Sequence, residues 1–461
     1  MTFLHPGRYA LGVVAAVAIL TACGGSQSSN GAALPQSASS PVAPAAGSIQ
    51  DIYSFLGSPD GQEPRTGVVA LTKRQCGAPC DHVGLIGTTT LGGDANSDGT
   101  VYGLTPGKKG AWKESVLYAF KGTSSADGSE PSGLALGDST SGAIRQALNA
   151  YMTIPTSSGG TTNNGALVVL VPTGSGPWKE SFIYSFGGTP DGATPFGNPL
   201  VDKKGNVYGT TYAGGATGAG AVYRMQPPPK GSGYTESILY SFQGGSDGDG
   251  PRAGLVVDKK GGLYGTTAQG GTTGSGTVFK LTPAGNSYKE SVLYSFQGMP
   301  DGSGPLAGVC GDVPQGDGNY GDLYGTTEKG GTQNLGTVYK LTANGNTYKE
   351  SVLWSFGSVQ GDGAYPFGGV LVDKQGVIYG TTLEGGSGGS SGPGTFFTLT
   401  PSGSTYKETV SVFTGANGEY PYAGPSVDSK GNLYLTTEAG GAKGKGTVNR
   451  EGSSPSVSEC F

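Results

Sequence analysis

The chain has 461 residues, of which 89 are glycine and 13% are charged, and its formal net charge is −5. Glycine at this level without a Gly-X-Y period indicates many tight turns and excludes a collagen-like chain. The weak acidity and the scattered lysines exclude the basic surface that nucleic-acid binding needs, so we expect no nucleic-acid partner.

Residues 1–22 are typical of a secretory signal peptide. Arg8 supplies the positive amino-terminal region, and an apolar run too short for a permanent membrane span extends from Tyr9 to Leu20. The Leu-Thr-Ala sequence before Cys23 resembles the bacterial lipobox, in which the cysteine is acylated and becomes the new N-terminus. The alternative is an ordinary signal peptide with a chance cysteine. We expect lipid attachment at Cys23. Two or three acyl chains there would anchor the protein stably.

A tether follows the cysteine. Gly24, rather than Asp, comes next, and by resemblance to sorted lipoproteins this favours the outer membrane. Residues 24–48 carry no charge and are mainly Gly, Ser, Ala, Pro and Gln, a composition typical of a flexible linker with a reach of about 25–30 Å. We expect an exported monomer anchored to the cell envelope, with residues 23–48 as lipidated cysteine and tether, 49–450 folded, and 451–461 as a tail.

The folded part is built from a repeat. In its clearest copy, β-branched and aromatic runs alternate with turn residues from Gly254 to the landmark Tyr294-Ser295-Phe296, which predicts four antiparallel strands, named a, b, c and d. Copies of the landmark recur at intervals of 54 to 66 residues, at Tyr53-Ser54-Phe55, Tyr118-Ala119-Phe120, Tyr184-Ser185-Phe186, Tyr240-Ser241-Phe242, Trp354-Ser355-Phe356 and Ser411-Val412-Phe413. Four strands per repeat of this length are typical of a β-propeller.

The two ends of the folded part complement each other. Ile49–Phe55 is a lone strand d, whereas the last repeat has strands a, b and c up to Asn449 and lacks a strand d. The first strand therefore completes the last blade, which predicts an all-β, seven-bladed propeller closed by its N-terminal strand. Blade 2 is degenerate, because Ala147–Met152 replaces the Leu-Tyr-Gly-Thr-Thr phrase and Ser139–Gln146 is inserted before it.

The repeated phrases Leu-Tyr-Gly-Thr-Thr, Gly-Gly and Gly-Thr-Val-Phe-Lys-Leu-Thr-Pro resemble the bacterial tandem-repeat family called GloVer. The resemblance extends from Ile49 to Asn449, and blade 2 and the insertion at residues 311–322 depart from it. It implies an exported surface protein and brings no site residues.

Catalytic signals are few. His82 is the one histidine of the mature chain, which argues against histidine triads and His-rich zinc centres. A carboxylate pair for catalysis needs two different environments. Six glutamates share one repeat position instead, and we expect a structural role such as pairing with a lysine of a neighbouring blade; they are Glu114, Glu180, Glu236, Glu290, Glu350 and Glu408.

Two acidic patterns are candidate ligand sites. Asp94, Asn96 and Asp98 match half of a calcium loop but lack the final carboxylate, since Thr105 stands there; the alternative to a calcium site is a polar turn. An Asp-Gly-x-x-Pro pattern between strands d and a forms either a ring of carboxylates for cations or sugar hydroxyls, or a set of ordinary turns. Its members are Asp60, Asp127, Asp191, Asp249, Asp301 and Asp362, with Asn417 in the last copy.

Four cysteines remain besides Cys23 in an oxidising compartment, where disulfides form. We expect Cys76 to pair with Cys80 and Cys310 to pair with Cys460. A metal clip that includes His82, or free thiols, are the alternatives for Cys76 and Cys80.

The loops fall on two faces, because strands a to d alternate in direction. The a–b and c–d loops form what we call the lysine face, and the b–c and d–a loops form the glycine–aspartate face. The lysine face should look toward the anchoring membrane, so we place a binding site on the other face or its central mouth. Two functions remain: a binding module for an extracellular or envelope glycan or protein, which the near-identity of the blades favours, and a carboxylate-dependent hydrolase or lyase acting on glycans. A purely structural envelope component is a third.

Overall fold

The computed structural model describes residues 49–71, 84–122, 128–138, 148–155, 162–173, 177–228, 233–285, 287–312, 318–345 and 347–453. Within these ranges, seven four-stranded antiparallel sheets form the blades of a β-propeller, each with the order a-b-c-d. No helix of the described ranges is long and apolar enough to cross a membrane. Cys23, Cys76, Cys80, His82, Asp127 and Cys460 lie outside them.

The strands of the first four blades, each in the order a to d, have the following bounds. They are Val69–Ala70, Leu85–Thr89, Thr100–Pro106 and Trp112–Ala119 in blade 1, and Gly133–Asp138, Leu148–Ile154, Ala166–Val171 and Lys179–Ser185 in blade 2. They are Leu200–Val201, Val207–Thr211, Ala221–Gln226 and Thr235–Ser241 in blade 3, and Val256–Val257, Leu263–Thr267, Thr277–Ala284 and Ser287–Ser295 in blade 4.

The strands of the last three blades follow the same order. They are Cys310–Gly311, Asp322–Thr327, Thr337–Asn344 and Thr347–Ser355 in blade 5, and Leu371–Val372, Ile378–Thr382, Thr395–Ser402 and Thr405–Val412 in blade 6. Blade 7 consists of Ser426–Val427, Asn432–Thr437, Thr447–Ser453 and, as its strand d, Gln50–Ser54. Short 3₁₀ helices are Lys108–Gly110, Gly245–Asp247 and Gly389–Ser391.

The ring closes as the sequence predicts. Gln50–Ser54 pairs antiparallel with strand c of blade 7, with Gln50 opposite Arg450 and Ser54 opposite Thr447. The first and last parts of the fold therefore belong to one sheet.

The glycine of the Leu-Tyr-Gly-Thr-Thr phrase makes room for an aromatic ring. Gly265 in strand b lies opposite Phe279 in strand c, and a Cβ atom on Gly265 would be 2.7 Å from the end of that ring. Blades 1, 3, 5 and 6 repeat this combination of glycine and aromatic residue, as Gly87–Tyr102, Gly209–Tyr223, Gly325–Tyr339 and Gly380–Phe397. Close packing thus couples the residue types of two adjacent strands.

Blades 2 and 7 fill the same space differently. Met152 lies opposite Val168 in blade 2, and Leu435 lies opposite Asn449 in blade 7. In both cases a larger residue in strand b accompanies a smaller one in strand c. The degenerate phrase of blade 2 therefore keeps the interior volume of a blade rather than losing it.

The landmark phenylalanines form the contacts between blades. Phe296, at the end of strand d in blade 4, is fully buried and meets Tyr339 of blade 5 edge to face, with ring centroids 5.0 Å apart. Equivalent pairs are Phe55–Tyr102, Phe186–Tyr223, Phe242–Phe279 and Phe356–Phe397. Such pairs add about 0.5–1.5 kcal/mol each beyond the area that they bury.

The d–a and b–c loops share one face, as the alternation of the strands predicts. Gly61–Gln62 of a d–a loop pairs with Leu91–Gly92 of a b–c loop in a small two-stranded sheet. The same pairing joins Gly192–Ala193 with Ala213–Gly214, Gly302–Ser303 with Lys329–Gly330, and Gly363–Ala364 with Glu384–Gly385.

Candidate functional site at the axial mouth

Strand a forms the inner edge of each blade, and these edges approach one another around the central axis. A Cβ atom on Gly254 of blade 4 would lie 2.9 Å from the carbonyl oxygen of Asn198 in blade 3. One on Gly308 of blade 5 would lie 2.9 Å from the carbonyl oxygen of Gly254. Because these glycines lack side chains, the backbones of neighbouring blades come close to one another at the axis.

Two positions beside this axis vary from blade to blade, although the sequence around them repeats. One is the residue after the proline of the d–a loop: Arg65, Ser132, Phe196, Arg252, Leu306, Phe367 and Tyr422. The other directly follows strand b: Thr90, Pro155, Tyr212, Ala268, Glu328, Leu383 and Glu438. These residues surround the axial mouth, on the glycine–aspartate face. A column-by-column comparison of the repeats would have found them, whereas a search for shared motifs passes over them.

The residue before the same proline has a left-handed backbone in all seven blades. Its φ angle is 58° at Glu63, 56° at Glu130, 60° at Thr194, 66° at Gly250, 67° at Gly304, 55° at Tyr365 and 59° at Tyr420. A non-glycine residue in this conformation costs roughly 1–3 kcal/mol and persists where the surroundings enforce it, commonly at functional sites.

Arg65 forms the centre of a charged cluster on one side of the mouth. Its guanidinium lies 2.6 Å from Glu438 and 3.3 Å from Glu63. It also lies over the ring of Tyr422, with the guanidinium carbon 5.5 Å from the centroid. Phe367 meets Tyr422 edge to face at 5.4 Å. Arg65 is therefore neutralised within the protein.

Arg252 lies in aromatic surroundings. Its guanidinium carbon is 4.7 Å from the centroid of Phe196, and Phe196 meets Tyr212 edge to face at 6.2 Å. The Tyr212 hydroxyl accepts a long hydrogen bond, 3.5 Å, from the side-chain amide of Gln269. Burial lowers the pKa of the Arg252 guanidinium. Arg252 forms no ion pair with any carboxylate of the described ranges.

The two clusters belong to one site. Arg65 and Arg252 come from blades 1 and 4, which are not neighbours, yet the charge of Arg65 acts on the guanidinium of Arg252, as do Tyr422 of blade 7 and Glu328 of blade 5. The site thus combines half-buried aromatic faces with one guanidinium that forms ion pairs and one that forms none within the described ranges. Such a surface suits binding of a ligand that offers both an apolar face and an acceptor group.

The repeated glutamates lie elsewhere, at the joints between blades. At the joint of blades 4 and 5, Tyr294 donates a 2.9 Å hydrogen bond to Asp301, and the charge of Asp301 acts on Glu350. The same arrangement occurs as Tyr53–Asp60–Glu114, Tyr184–Asp191–Glu236, Tyr240–Asp247–Glu290 and Trp354–Asp362–Glu408. The prediction of a lysine partner is wrong for these five glutamates, because an aspartate lies beside each of them. The sixth, Glu180, accepts a 3.4 Å hydrogen bond from the Tyr118 hydroxyl.

Each of the five glutamates beside an aspartate lies in an environment that favours its protonated form. Burial, followed by the charge of Asp301, raises the pKa of Glu350 to about 7. Burial and Asp362 raise the pKa of Glu408 to about 9. Because five joints repeat one environment, the glutamates act as structural acid pairs rather than as a catalytic pair with opposite roles.

The Asp-Gly-x-x-Pro pattern forms turns. Asp301 accepts hydrogen bonds from the backbone N–H groups of Gln297 at 2.8 Å and of Gly302 at 2.6 Å, as the turn interpretation predicts. In the loop before blade 4, Asp247 holds this position, since Tyr240 and the Gln243 N–H both donate to it. The assignment of Asp249 was therefore wrong.

The joint of blades 6 and 7 lacks all three members together. Ser411 replaces the tyrosine, Asn417 replaces the aspartate, and Ile49 replaces the glutamate. Asn417 still closes the turn, because its side-chain oxygen accepts a 2.9 Å hydrogen bond from the Thr414 N–H. The Tyr–Asp–Glu unit is thus absent at its aligned positions, but a glutamate from another strand is present at this joint: Glu451 of strand c bonds with Ser411, and burial raises its pKa to about 7.

The predicted calcium loop forms an Asx turn. The Asn96 N–H donates a 2.8 Å hydrogen bond to the Asp94 carboxylate, and the Ser97 hydroxyl accepts one from the Gly92 N–H. A Cβ atom on Gly122 would lie 2.5 Å from the Asp98 carboxylate, so Asp98 reaches toward a different loop. Within the described ranges, no group of three or more His, Cys, Asp and Glu side chains is placed to hold a metal. Calcium binding by Asp94, Asn96 and Asp98 stays a prediction.

Cys310 begins strand a of blade 5 and is 4% exposed. Its predicted partner, Cys460, and the pair Cys76 and Cys80 lie outside the described residues. Both disulfides therefore stay predictions.

Several solved structures have a similar fold. They include the periplasmic gluconolactonase of Pseudomonas aeruginosa, with 13% identity over 84% of this chain and 96% of that one and a TM-score of 0.43. A puromycin-hydrolysing peptidase of Mycobacterium tuberculosis has 11% identity over 90% of this chain and 55% of that one, at 0.47. An ancestral GH74 enzyme has 12% identity over 77% and 47%, at 0.48. At these values the likeness says nothing about activity.

No curated protein matches the chain at a significant level. The family model described as the Gloeobacter/Verrucomicrobia repeat matches it in three overlapping segments, residues 81–316, 139–387 and 311–456. These segments include strands of all seven blades and the phrases on which the resemblance to the GloVer repeat rested. The chain therefore belongs to the Gloeobacter/Verrucomicrobia repeat family.

Proposed function

We propose that the protein is an exported binding module, anchored to the cell envelope by acyl chains on Cys23, whose ligand binds at the axial mouth. The observation that carries this proposal is the convergence of residues from blades 1, 4 and 7: Arg65 lies over the Tyr422 ring at 5.5 Å, and both act electrostatically on Arg252. On a scaffold whose other positions repeat, such non-repeated residues have no shared structural duty.

The type and setting of these residues support binding. Loops on a rigid scaffold commonly carry the function of a fold. Arginine, tyrosine and tryptophan are the side chains that most often dominate binding energies. Phe196, Tyr212, Phe367 and Tyr422 are half-buried, so part of each residue stays accessible to a ligand.

The anchor would orient the mouth outward. Strand d of blade 7 begins at Gln50, at the end of the blade that carries the a–b and c–d loops. The tether would thus join the propeller on the lysine face, which would look back toward the outer membrane. The axial mouth lies on the opposite face and would be accessible to an extracellular or envelope ligand.

The test is a glycan and protein array probed with the purified protein and three variants. Tyr422→Ala and Phe196→Ala remove aromatic faces from the mouth, and Lys260→Ala changes the lysine face. The two mouth variants should lose the array components that the natural protein binds, whereas Lys260→Ala should keep them. Loss with Lys260→Ala alone would contradict the assignment to the mouth.

A second candidate function is a carboxylate-dependent enzyme acting on glycans. The observation that favours it is the presence of non-repeated carboxylates in different settings: burial raises the pKa of Glu384, whereas Glu438 is ion-paired with Arg65. Different settings are what an acid and a base require. Release of reducing ends or unsaturated products from bound glycans, abolished by Glu384→Gln or Glu438→Gln, would establish this activity.

A further inference from the structure

We propose that the axial mouth binds an acidic glycan, and that Arg252 binds a carboxylate of its sugar residues. This inference rests on the proposed function and specifies its ligand. Arg65 and Arg252 occupy the same repeat position, directly after the proline of the d–a loop.

Arg65 shows what a neutralised arginine looks like at this position. Its two carboxylate partners are Glu63, two residues earlier in the same loop, and Glu438, directly after strand b in the preceding blade. The protein itself therefore supplies the counter-charge.

Neither carboxylate partner of Arg65 has a counterpart beside Arg252. Gly250 stands at the position of Glu63, and Tyr212, directly after strand b in blade 3, stands at the position of Glu438. The Tyr212 ring fills the space beside Gly250, since a Cβ atom on Gly250 would lie 2.7 Å from it. Among the described residues, Glu328 acts on Arg252 through its charge, but no carboxylate lies within ion-pair distance of it. A half-buried cation in largely apolar surroundings without an ion-pair partner is costly, and a ligand anion would relieve that cost.

The geometry leaves the guanidinium available to a ligand. It lies over the Phe196 ring at 4.7 Å, and a guanidinium stacked in this way can direct its N–H groups at a planar carboxylate. Gln269 and the Tyr212 hydroxyl lie next to this corner and can bond with hydroxyl groups. Tyr422 and Phe367 continue the aromatic lining on the other side.

These features together specify more than an anion. A small inorganic anion would satisfy Arg252 but would leave the aromatic faces uncovered. A uronic acid residue has a carboxylate, hydroxyl groups and an apolar ring face, and thus matches all three kinds of group in the mouth.

The experiment measures binding of uronate hexamers to the purified protein by calorimetry. The probes are the hexamers of galacturonate and of mannuronate, a hyaluronan hexamer, and the methyl-esterified galacturonate hexamer as the neutral match. At least one acidic hexamer should bind, and esterification of the galacturonate probe should weaken any binding of that probe. Affinity should fall as the ionic strength rises, because the contact is charge-assisted.

Two variants that remove one positive charge each form a matched pair. Arg252→Gln should weaken binding of the acidic hexamer by about 10- to 100-fold, whereas Lys260→Gln on the lysine face should leave it unchanged. A third variant, Tyr212→Glu, gives Arg252 the internal carboxylate that Arg65 has, and it should also lose acid binding. Thermal unfolding of each variant shows that the fold is intact.

Three results would overturn the inference: equal affinity for the acidic and the esterified galacturonate hexamer, unchanged affinity in Arg252→Gln, or no binding of any acidic hexamer at millimolar concentration. A neutral ligand that the protein binds and that Tyr422→Ala loses would keep the proposed function and remove this inference alone. Loss of binding only in Lys260→Gln would remove both.

Discussion

The hydroxyl of Thr436, in strand b of blade 7, donates a 2.9 Å hydrogen bond to the backbone carbonyl of Thr66, just before strand a of blade 1. Both residues are buried. Thr436 is the first threonine of the Thr-Thr sequence that ends strand b. The same threonine donates the same bond to the next blade at four other joints, as Thr210–Ala253, Thr266–Ala307, Thr326–Gly368 and Thr381–Ala423. The joint that closes the ring thus uses the same bond as the joints within it.

Replacing Thr436 with valine should destabilise the closed ring. The shape of the side chain is kept, whereas the buried carbonyl of Thr66 loses this donor, at a cost of about 1–3 kcal/mol. Thr211→Val is the matched control, because the Thr211 hydroxyl is buried without a partner where Ala221 stands opposite. Thermal unfolding should show a lower midpoint for Thr436→Val only; equal midpoints would refute the role of this bond.

Replacing Tyr339 with phenylalanine should leave stability unchanged or raise it. The Tyr339 hydroxyl is buried and has no hydrogen-bond partner, and Phe279 and Phe397 occupy its repeat position in blades 4 and 6. Burying an unsatisfied hydroxyl costs roughly 1–3 kcal/mol. The reverse change, Phe279→Tyr, should lower the unfolding midpoint. A clear loss of stability in Tyr339→Phe would show that the hydroxyl has a partner.

A double-mutant cycle in blade 6 should show that strand b and strand c share one volume. Gly380→Leu alone should be severely destabilising, because a side chain there would overlap the Phe397 ring. Phe397→Asn opens that space and copies the Leu435–Asn449 combination of blade 7. We expect the double variant to be less destabilised than the sum of the single variants, by about 0.5–3 kcal/mol. Simple additivity would contradict the shared volume.

The acid pairs at the joints should make stability fall as the pH rises toward neutral. The raised pKa values, about 7 for Glu114, Glu236, Glu290 and Glu350, mean that the folded state binds these protons more tightly than the unfolded chain does. Their contribution is full below about pH 4.5, the ordinary range of a glutamate, and is lost as the pH rises through 7.

Unfolding midpoints between pH 5 and pH 8 test this expectation. Glu350→Gln keeps a neutral side chain at every pH, so its midpoint should depend less on pH than that of the natural protein. Glu130→Gln, at an exposed position, is the control and should leave the dependence unchanged. A midpoint that rises from pH 5 to pH 7 and does so equally in Glu350→Gln would contradict the acid-pair interpretation.

Cys23→Ser should release the protein from membranes, because a serine is not acylated at this position. Fractionation of cells that produce the natural protein and the variant measures this directly. If the variant is still cleaved after Ala22 and stays in the membrane fraction, the anchor is not a lipid on Cys23.

The sequence by itself determined the number of blades, the order of their strands, the closure by the first strand and the division of the loops between two faces. Each of these follows from local patterns: alternating β-branched and aromatic residues, glycine turns, and an incomplete last repeat. The registers were not predicted: that Gly265 in strand b lies opposite Phe279 in strand c came from the structure.

Tertiary structure alone decided which side chains meet across the joints. Glu350 and Asp301 are far apart in sequence and become neighbours because two blades pack together. The choice of Asp247 over Asp249 did not need the structure, because Asp247-Gly248 stands at the correct spacing before Pro251 and Asp249 does not. Arg65 and Arg252 occupy the same repeat position, yet Glu63 of the same loop and Glu438 of the preceding blade form ion pairs with the first. Gly250 and Tyr212 stand at those two positions beside the second. Such differences arise because charge is balanced by neighbours in space, and the ring brings those neighbours together only when it closes.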